Sequence, residues 1–286
     1  MSAAALIEGL CRWNDVLFPD AERGARLKAA LLDRFGDDQR AVSADVCAEI
    51  EAVAWRFARH LALEYAADGT LTPDVQAPGW EPQDPDEVRA RAASVRLVER
   101  RRDGIGVLAL DGLDRVDVSA PYVESALELL HGCGGLVLDL RANGGGDPGT
   151  VALVLDRLTG PDPIHISDVV YRDRTRQWWT AGGPQALPPA TPVLALIGSA
   201  TFSSGEALAY HLQSRGRARL VGQATPGAAD HVTPIRVSAH VRALLPEAYV
   251  RDAVTRSNWE GVGVQPDLAC AEDEALDRAL DVIARR

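Results

Sequence analysis

From about residue 95 onward the chain repeats one pattern, a short apolar run followed by a longer amphipathic one. "GIGVLALDG", "GLVLDLRA", "TPVLALIG" and "ARLVGQA" are apolar on both faces that a strand presents. A strand buried on both sides needs cover on both sides. "APYVESALELLHG", "DPGTVALVLDRL", the run starting near Ser204 and "EDEALDRALDVIARR" supply it, with apolar residues at helical spacing. The alternation predicts an α/β core around a mixed sheet, at least part of it parallel.

The first part of the chain reads differently. "AERGARLKAALLDRF" and "SADVCAEIEAVAWRF" carry apolar stripes of helices, Ser43 is placed to cap the second, and "HLALEY" is a short strand. Residues 67–94 are rich in Pro, Gly and Asp and read as a linker. The expected organisation is a small helical domain over 1–66, the linker, and an α/β domain over 95–286.

Charge and cysteine usage narrow the function. A net charge of -11 argues against a nucleic-acid partner. Cys11, Cys47, Cys133 and Cys270 lie far apart, with no metal-ligand spacing among them, so reduced thiols, no metal and no cofactor are expected. The start "MSAAALIEGLCRWNDVLF" has no basic leader, and no apolar run reaches the roughly 20 residues of a membrane span. These features predict a cytoplasmic protein without a membrane partner.

Two motifs carry the chemistry. "LVLDLRANGGGDP" ends an apolar strand in Gly144, Gly145 and Gly146, which let backbone N–H groups approach a ligand closely. "IGSATFSSGEALAYHLQ" sets Ser203 and Ser204 between a strand and a helix, where exposed N–H groups and the helix dipole favour developing negative charge. The spacing of the glycine motif does not match a phosphate-binding loop.

With "NWEGVGVQPD" further on, the three motifs resemble, in order, those of the tail-specific, or C-terminal processing, serine peptidases. The resemblance covers roughly residues 43–286. It is nearest to the branch without a PDZ domain, which includes the repeats of interphotoreceptor retinoid-binding protein and is related to tricorn protease. It implies a ClpP/crotonase-like fold and cleavage of a peptide or small-molecule amide or acyl bond. The nucleophile maps to Ser203, three residues before Glu206, and Ser204 is left to cap the helix. The oxyanion hole maps to the N–H of Ser204 with that of Gly145 or Gly146.

Members of this family use either a lysine or a histidine as base. The lysine position corresponds to Ala228, and the chain's only lysine is Lys28, on an N-terminal helix. The resemblance therefore implies histidine: His60 in "ARHLALEY", from the N-terminal part, with Glu260 of "NWEG" fixing its tautomer and stabilising the imidazolium. His231 is the alternative base and His240 a weaker competitor, while His131, His165 and His211 read as surface or packing residues. Trp178 and Trp179, adjacent in "RTRQWWTAGG", offer an aromatic wall for an apolar ligand. They leave open a second class of function, a binding or biosynthetic relative without proteolytic activity.

Overall fold

A computed structural model describes residues 1–184 and 186–285. In chain order the helices are α1 (Ala3–Leu17), α2 (Ala21–Phe35), α3 (Ala44–Ala54), α4 (Pro85–Ala90), α5 (Val116–Leu129), α6 (Pro148–Thr159), α7 (Ser204–Ser214) and α8 (Ala275–Ala284). The strands are β1 (Ala62–Tyr65), β2 (Val95–Arg100), β3 (Ile105–Leu110), β4 (Gly135–Asp139), β5 (His165–Tyr171) and β6 (Thr175–Trp179). Then follow β7 (Val193–Ile197), β8 (Arg219–Gly222), β9 (His231–Arg236), β10 (Val241–Asp252) and β11 (Leu268–Ala269). The chain divides into two units: Met1–Glu81 with Asp168–Arg176 and Ala228–Arg251, and Pro82–Ser167 with Gln177–Gly227 and Asp252–Arg286.

In the first unit, Ser2, Asp20 and Ser43 each accept a backbone N–H as N-caps, which sets the starts of α1, α2 and α3. The apolar stripes of these helices (Leu6, Ile7, Leu10, Leu27, Leu31, Ile50) close on a core that also holds Ile235, Ala243 and Leu245. Those last three come from β9 and β10, and β10 pairs antiparallel with both β1 and β9. The N-terminal unit is therefore larger than residues 1–66 and is completed by a hairpin from late in the chain. Its apolar runs are interrupted by Pro234 and Pro246, which conceal both strands from a periodicity reading. Part of the expected linker is also fixed: Asp74 binds Arg236, and Trp80 Nε1 donates to the Val232 carbonyl at 2.8 Å. Further along, α4 forms where Asp84 caps and Pro85 starts a helix.

The second unit is built on a six-stranded sheet of order β11-β8-β7-β4-β3-β2. Neighbours from β3 to β11 run parallel, and β2 pairs antiparallel at the edge. The completely buried strands β3, β4 and β7 bear out the expected α/β core. In the same unit His211 is buried, not at the surface, and its Nδ1 pairs with Asp252 at 2.8 Å. Arg215 binds the same carboxylate and also donates to the carbonyls of His165 and Ile166. Burial alone pushes the Asp252 pKa up, but the bonds from His211, Thr255 and Arg215 outweigh it and hold the carboxyl below the usual range. Asp252→Ala leaves Arg215 and His211 without their shared anion and is expected to cost about 3–5 kcal/mol, measured by urea unfolding.

Among the described residues no helix is long and apolar enough to cross a membrane, and no three His, Cys, Asp or Glu gather as a metal site. All four cysteines are free thiols.

Candidate active site

Because β4 and β7 are parallel neighbours, the loops leaving their C-terminal ends lie side by side, the usual place for a site in such sheets. The loop after β4 carries Gly144, Gly145 and Gly146, and the loop after β7 leads into α7. Two bonds stitch them: Thr201 Oγ1 donates to the Leu140 carbonyl at 2.8 Å, and Phe202 N to the Asn143 carbonyl at 2.9 Å. The Asn143 side chain is fully buried, donates to the Leu110 carbonyl and accepts from Gly145 N at 3.0 Å. Its role is not visible in the sequence, where it is one polar letter before three glycines.

Ser203 sits at φ 52 and ψ -120, a conformation rare for a side-chain-bearing residue, directly ahead of α7. Its N–H donates to Glu206 Oε2 at 2.8 Å, which fixes the turn. The N-cap position belongs to Ser203, so the expected capping role of Ser204 is corrected. Ser204 is the first helical residue, and its hydroxyl instead donates to the Gly146 carbonyl at 2.7 Å. That bond ties the glycine loop to the helix.

The two oxyanion candidates in the loop separate here. The N–H of Gly145 is spent on Asn143 Oδ1, whereas no hydrogen bond among the described residues uses the N–H of Gly146 or Ser204. Gly145 has a different task. At φ +97, a Cβ there would lie 2.8 Å from Ser203 Cβ and 2.9 Å from the Phe202 carbonyl oxygen. Only glycine permits the approach. Gly145→Ala is expected to displace the serine turn and lower kcat/KM by about 10²-fold, with thermal unfolding reporting any separate loss of stability.

Glu206 links the nucleophile turn to the turn carrying Glu260. It is fully buried, and its Oε1 accepts from Thr225 Oγ1 at 2.5 Å and Gly227 N at 2.7 Å. The Gly227 carbonyl in turn accepts from Gly261 N at 2.8 Å. Trp259, buried against Tyr210 and His211, anchors the same turn, and Glu260 is half-buried beside it. Sequence reading uses Glu206 only as a landmark. The structure makes it the brace of two motifs.

His60 belongs to the first unit, as do His231 and Asp230, while Ser203 and Glu260 belong to the second. His60 is half-buried, and its Nδ1 lies 2.6 Å from the Asp230 carbonyl oxygen. His60 Nδ1 thus has a main-chain acceptor within its own unit. Burial, and secondarily the nearby His60, push the His231 pKa down to about 4. His231 is a neutral and weak base near pH 7. His240 stacks on Tyr65, and its Nδ1 lies 3.0 Å from the Ala66 carbonyl oxygen. Lys28 is paired with Asp15 at 2.5 Å, and Ala228, at the lysine position, is buried.

Trp178 and Trp179 are consecutive on β6, so their side chains project to opposite faces. They do not form one wall. Trp179 stacks on His165 with ring centroids 4.8 Å apart.

Three solved structures share the fold. The photosystem II D1 C-terminal processing protease matches at 24% identity with a TM-score of 0.51, over 63% of this chain and 46% of that one. A protein from Parabacteroides merdae matches at 13% identity and a TM-score of 0.68, over 99% of this chain and 97% of that one. A lipoprotein from Streptococcus agalactiae matches at 14% identity and a TM-score of 0.62, over 100% of this chain and 97% of that one. The chain thus spans less than half of the D1 processing protease and nearly the whole of the other two. The peptidase family S41 model matches residues 104–270, which include the glycine loop, the Ser203 turn and the Glu260 turn, and the chain belongs to that family of serine peptidases.

Proposed function

We propose that this chain hydrolyses peptide bonds through an acyl-enzyme on Ser203, with His60 as general base and Glu260 as a supporting charge. The observation that carries the reading is the strained Ser203 turn. A serine held at φ 52 by a buried glutamate, with the uncommitted N–H groups of Ser204 and Gly146 beside it, suits attack on a carbonyl. In the proposed reaction the Ser203 hydroxyl attacks the scissile carbonyl carbon while His60 Nε2 takes its proton. The oxyanion rests on the N–H groups of Ser204 and Gly146. Collapse breaks the C–N bond, and the departing amine receives the proton from His60. Water then attacks the Ser203 ester, with His60 again as base, and releases the acid. Glu260 stabilises the imidazolium in both halves.

Lys28 is the only lysine and pairs with Asp15, which supports a histidine base. The separated tryptophans remove the specific support for an apolar-ligand binder. The test is a pre-steady-state assay with an activated peptide ester. A product burst equal to the enzyme concentration, with the acyl mass trapped on the peptide containing Ser203, is expected. A linear progress curve with no trapped acyl group would count against the acyl-enzyme.

A further inference from the structure

The segment immediately before β9 is held in place by a buried ionic bond whose purpose the peptidase reading leaves unassigned. Asp230 has a fully buried side chain, and Arg23 from the first turn of α2 reaches its Oδ2 at 2.6 Å. The Arg23 guanidinium also lies over the Phe18 ring, 5.0 Å from the centroid. A carboxylate taken wholly out of water is tolerated only with such a partner, and the pair fixes the residue that carries it. Two residues further on, the Trp80 bond to the Val232 carbonyl pins the start of β9 from another side. The Asp230 peptide plane is therefore located by side chains on both flanks.

The carbonyl of that plane is the one that meets His60. A carbonyl oxygen can only accept, so the Nδ1 atom 2.6 Å away must carry the proton. The neutral imidazole then presents an unprotonated Nε2.

We infer that Asp230 and Arg23 are positioning residues: their ion pair holds the Asp230 carbonyl against His60 Nδ1 and locks His60 in the tautomer whose Nε2 can accept a proton. The inference rests on the reading of His60 as general base, and it assigns to a main-chain carbonyl the task that a carboxylate performs in the Ser-His-Asp template. Asp230, its partner Arg23 and His231 are charged or titratable groups near His60. His231 stays neutral near pH 7 and adds no second positive charge when the imidazolium forms.

The experiment uses the full chain labelled with ¹⁵N-histidine, and long-range ¹H–¹⁵N correlations assigned to His60 by their loss in His60→Gln. At pH 8 the wild-type protein is expected to show the Nδ1–H pattern for His60, and an Nε2–H pattern would overturn the inference without any variant. Asp230→Ala and Arg23→Ala are each expected to give a mixed tautomer and to lower kcat by about 10- to 10²-fold, with KM little changed. The double variant should be no worse than either single one, because the two act as a unit. Asp230→Asn, which keeps an oxygen for Arg23, should restore most of the Nδ1–H pattern and most of kcat. Folded Asp230→Ala protein with an unchanged tautomer and unchanged kcat would overturn the inference. If His60→Gln leaves hydrolysis intact while the wild type keeps the Nδ1–H pattern, the tautomer lock stands and the base assignment alone falls.

Discussion

Ser203→Ala is expected to lower turnover by roughly 10³- to 10⁶-fold while leaving the unfolding midpoint nearly unchanged. The small stability effect follows from the bonds around the residue. Ser203 is fixed through its N–H and Glu206, which alanine keeps, and the side chain lost is a single hydroxyl. The residual activity is what the oxyanion donors and binding supply on their own. Ser204→Ala is expected to lose far less, since its N–H survives. It still removes the bond to the Gly146 carbonyl, so it should act by loosening the glycine loop. Near-wild-type turnover in Ser203→Ala, measured by active-site-independent protein concentration, would mean that Ser203 is a strained structural residue.

The second large effect belongs to His60. His60→Ala is expected to cost at least about 10³-fold in kcat/KM, because a serine hydroxyl is a poor nucleophile without a base. The pH profile identifies which histidine does the work. A base must be unprotonated to act, so activity falls as pH drops through its pKa. An imidazole of unshifted basicity gives an acid limb at about 6 to 7. With His231 as base activity would persist down to about 4, where burial has moved its pKa. Glu260→Gln is expected to slow the reaction by about 10- to 10²-fold, less than the about 10⁴ of the serine-protease template, because Asp230 already holds the tautomer. Combined with His60→Ala it should add little.

The division between what sequence reading reached and what it missed has physical causes. Buried parallel strands are near-continuous apolar runs, so β3, β4 and β7 and the helices between them were legible, and with them the glycine loop and the Ser203 turn. Ser43 was legible as a cap because capping is local. The hairpin of β9 and β10 is hidden from the sequence, since Pro234, Pro246 and interspersed arginines blur its alternation and its partners β1 and β5 are distant in the chain. Non-local hydrogen bonding hid the rest. Nothing near Asn143 in sequence predicts that it binds Leu110, and nothing near Glu206 predicts that it braces Gly227. His60 is legible through the resemblance, whereas its acceptor lies 170 positions away and is a main-chain atom that no side-chain motif encodes.

Labelling the full chain with a fluorophosphonate probe at pH 8, and mapping the modified residue by peptide mass spectrometry, shows whether Ser203 is an activated nucleophile. One adduct per chain is expected on Ser203, absent in Ser203→Ala and slowed in His60→Ala. An adduct on Ser204, or no adduct in protein that hydrolyses peptides, would contradict it.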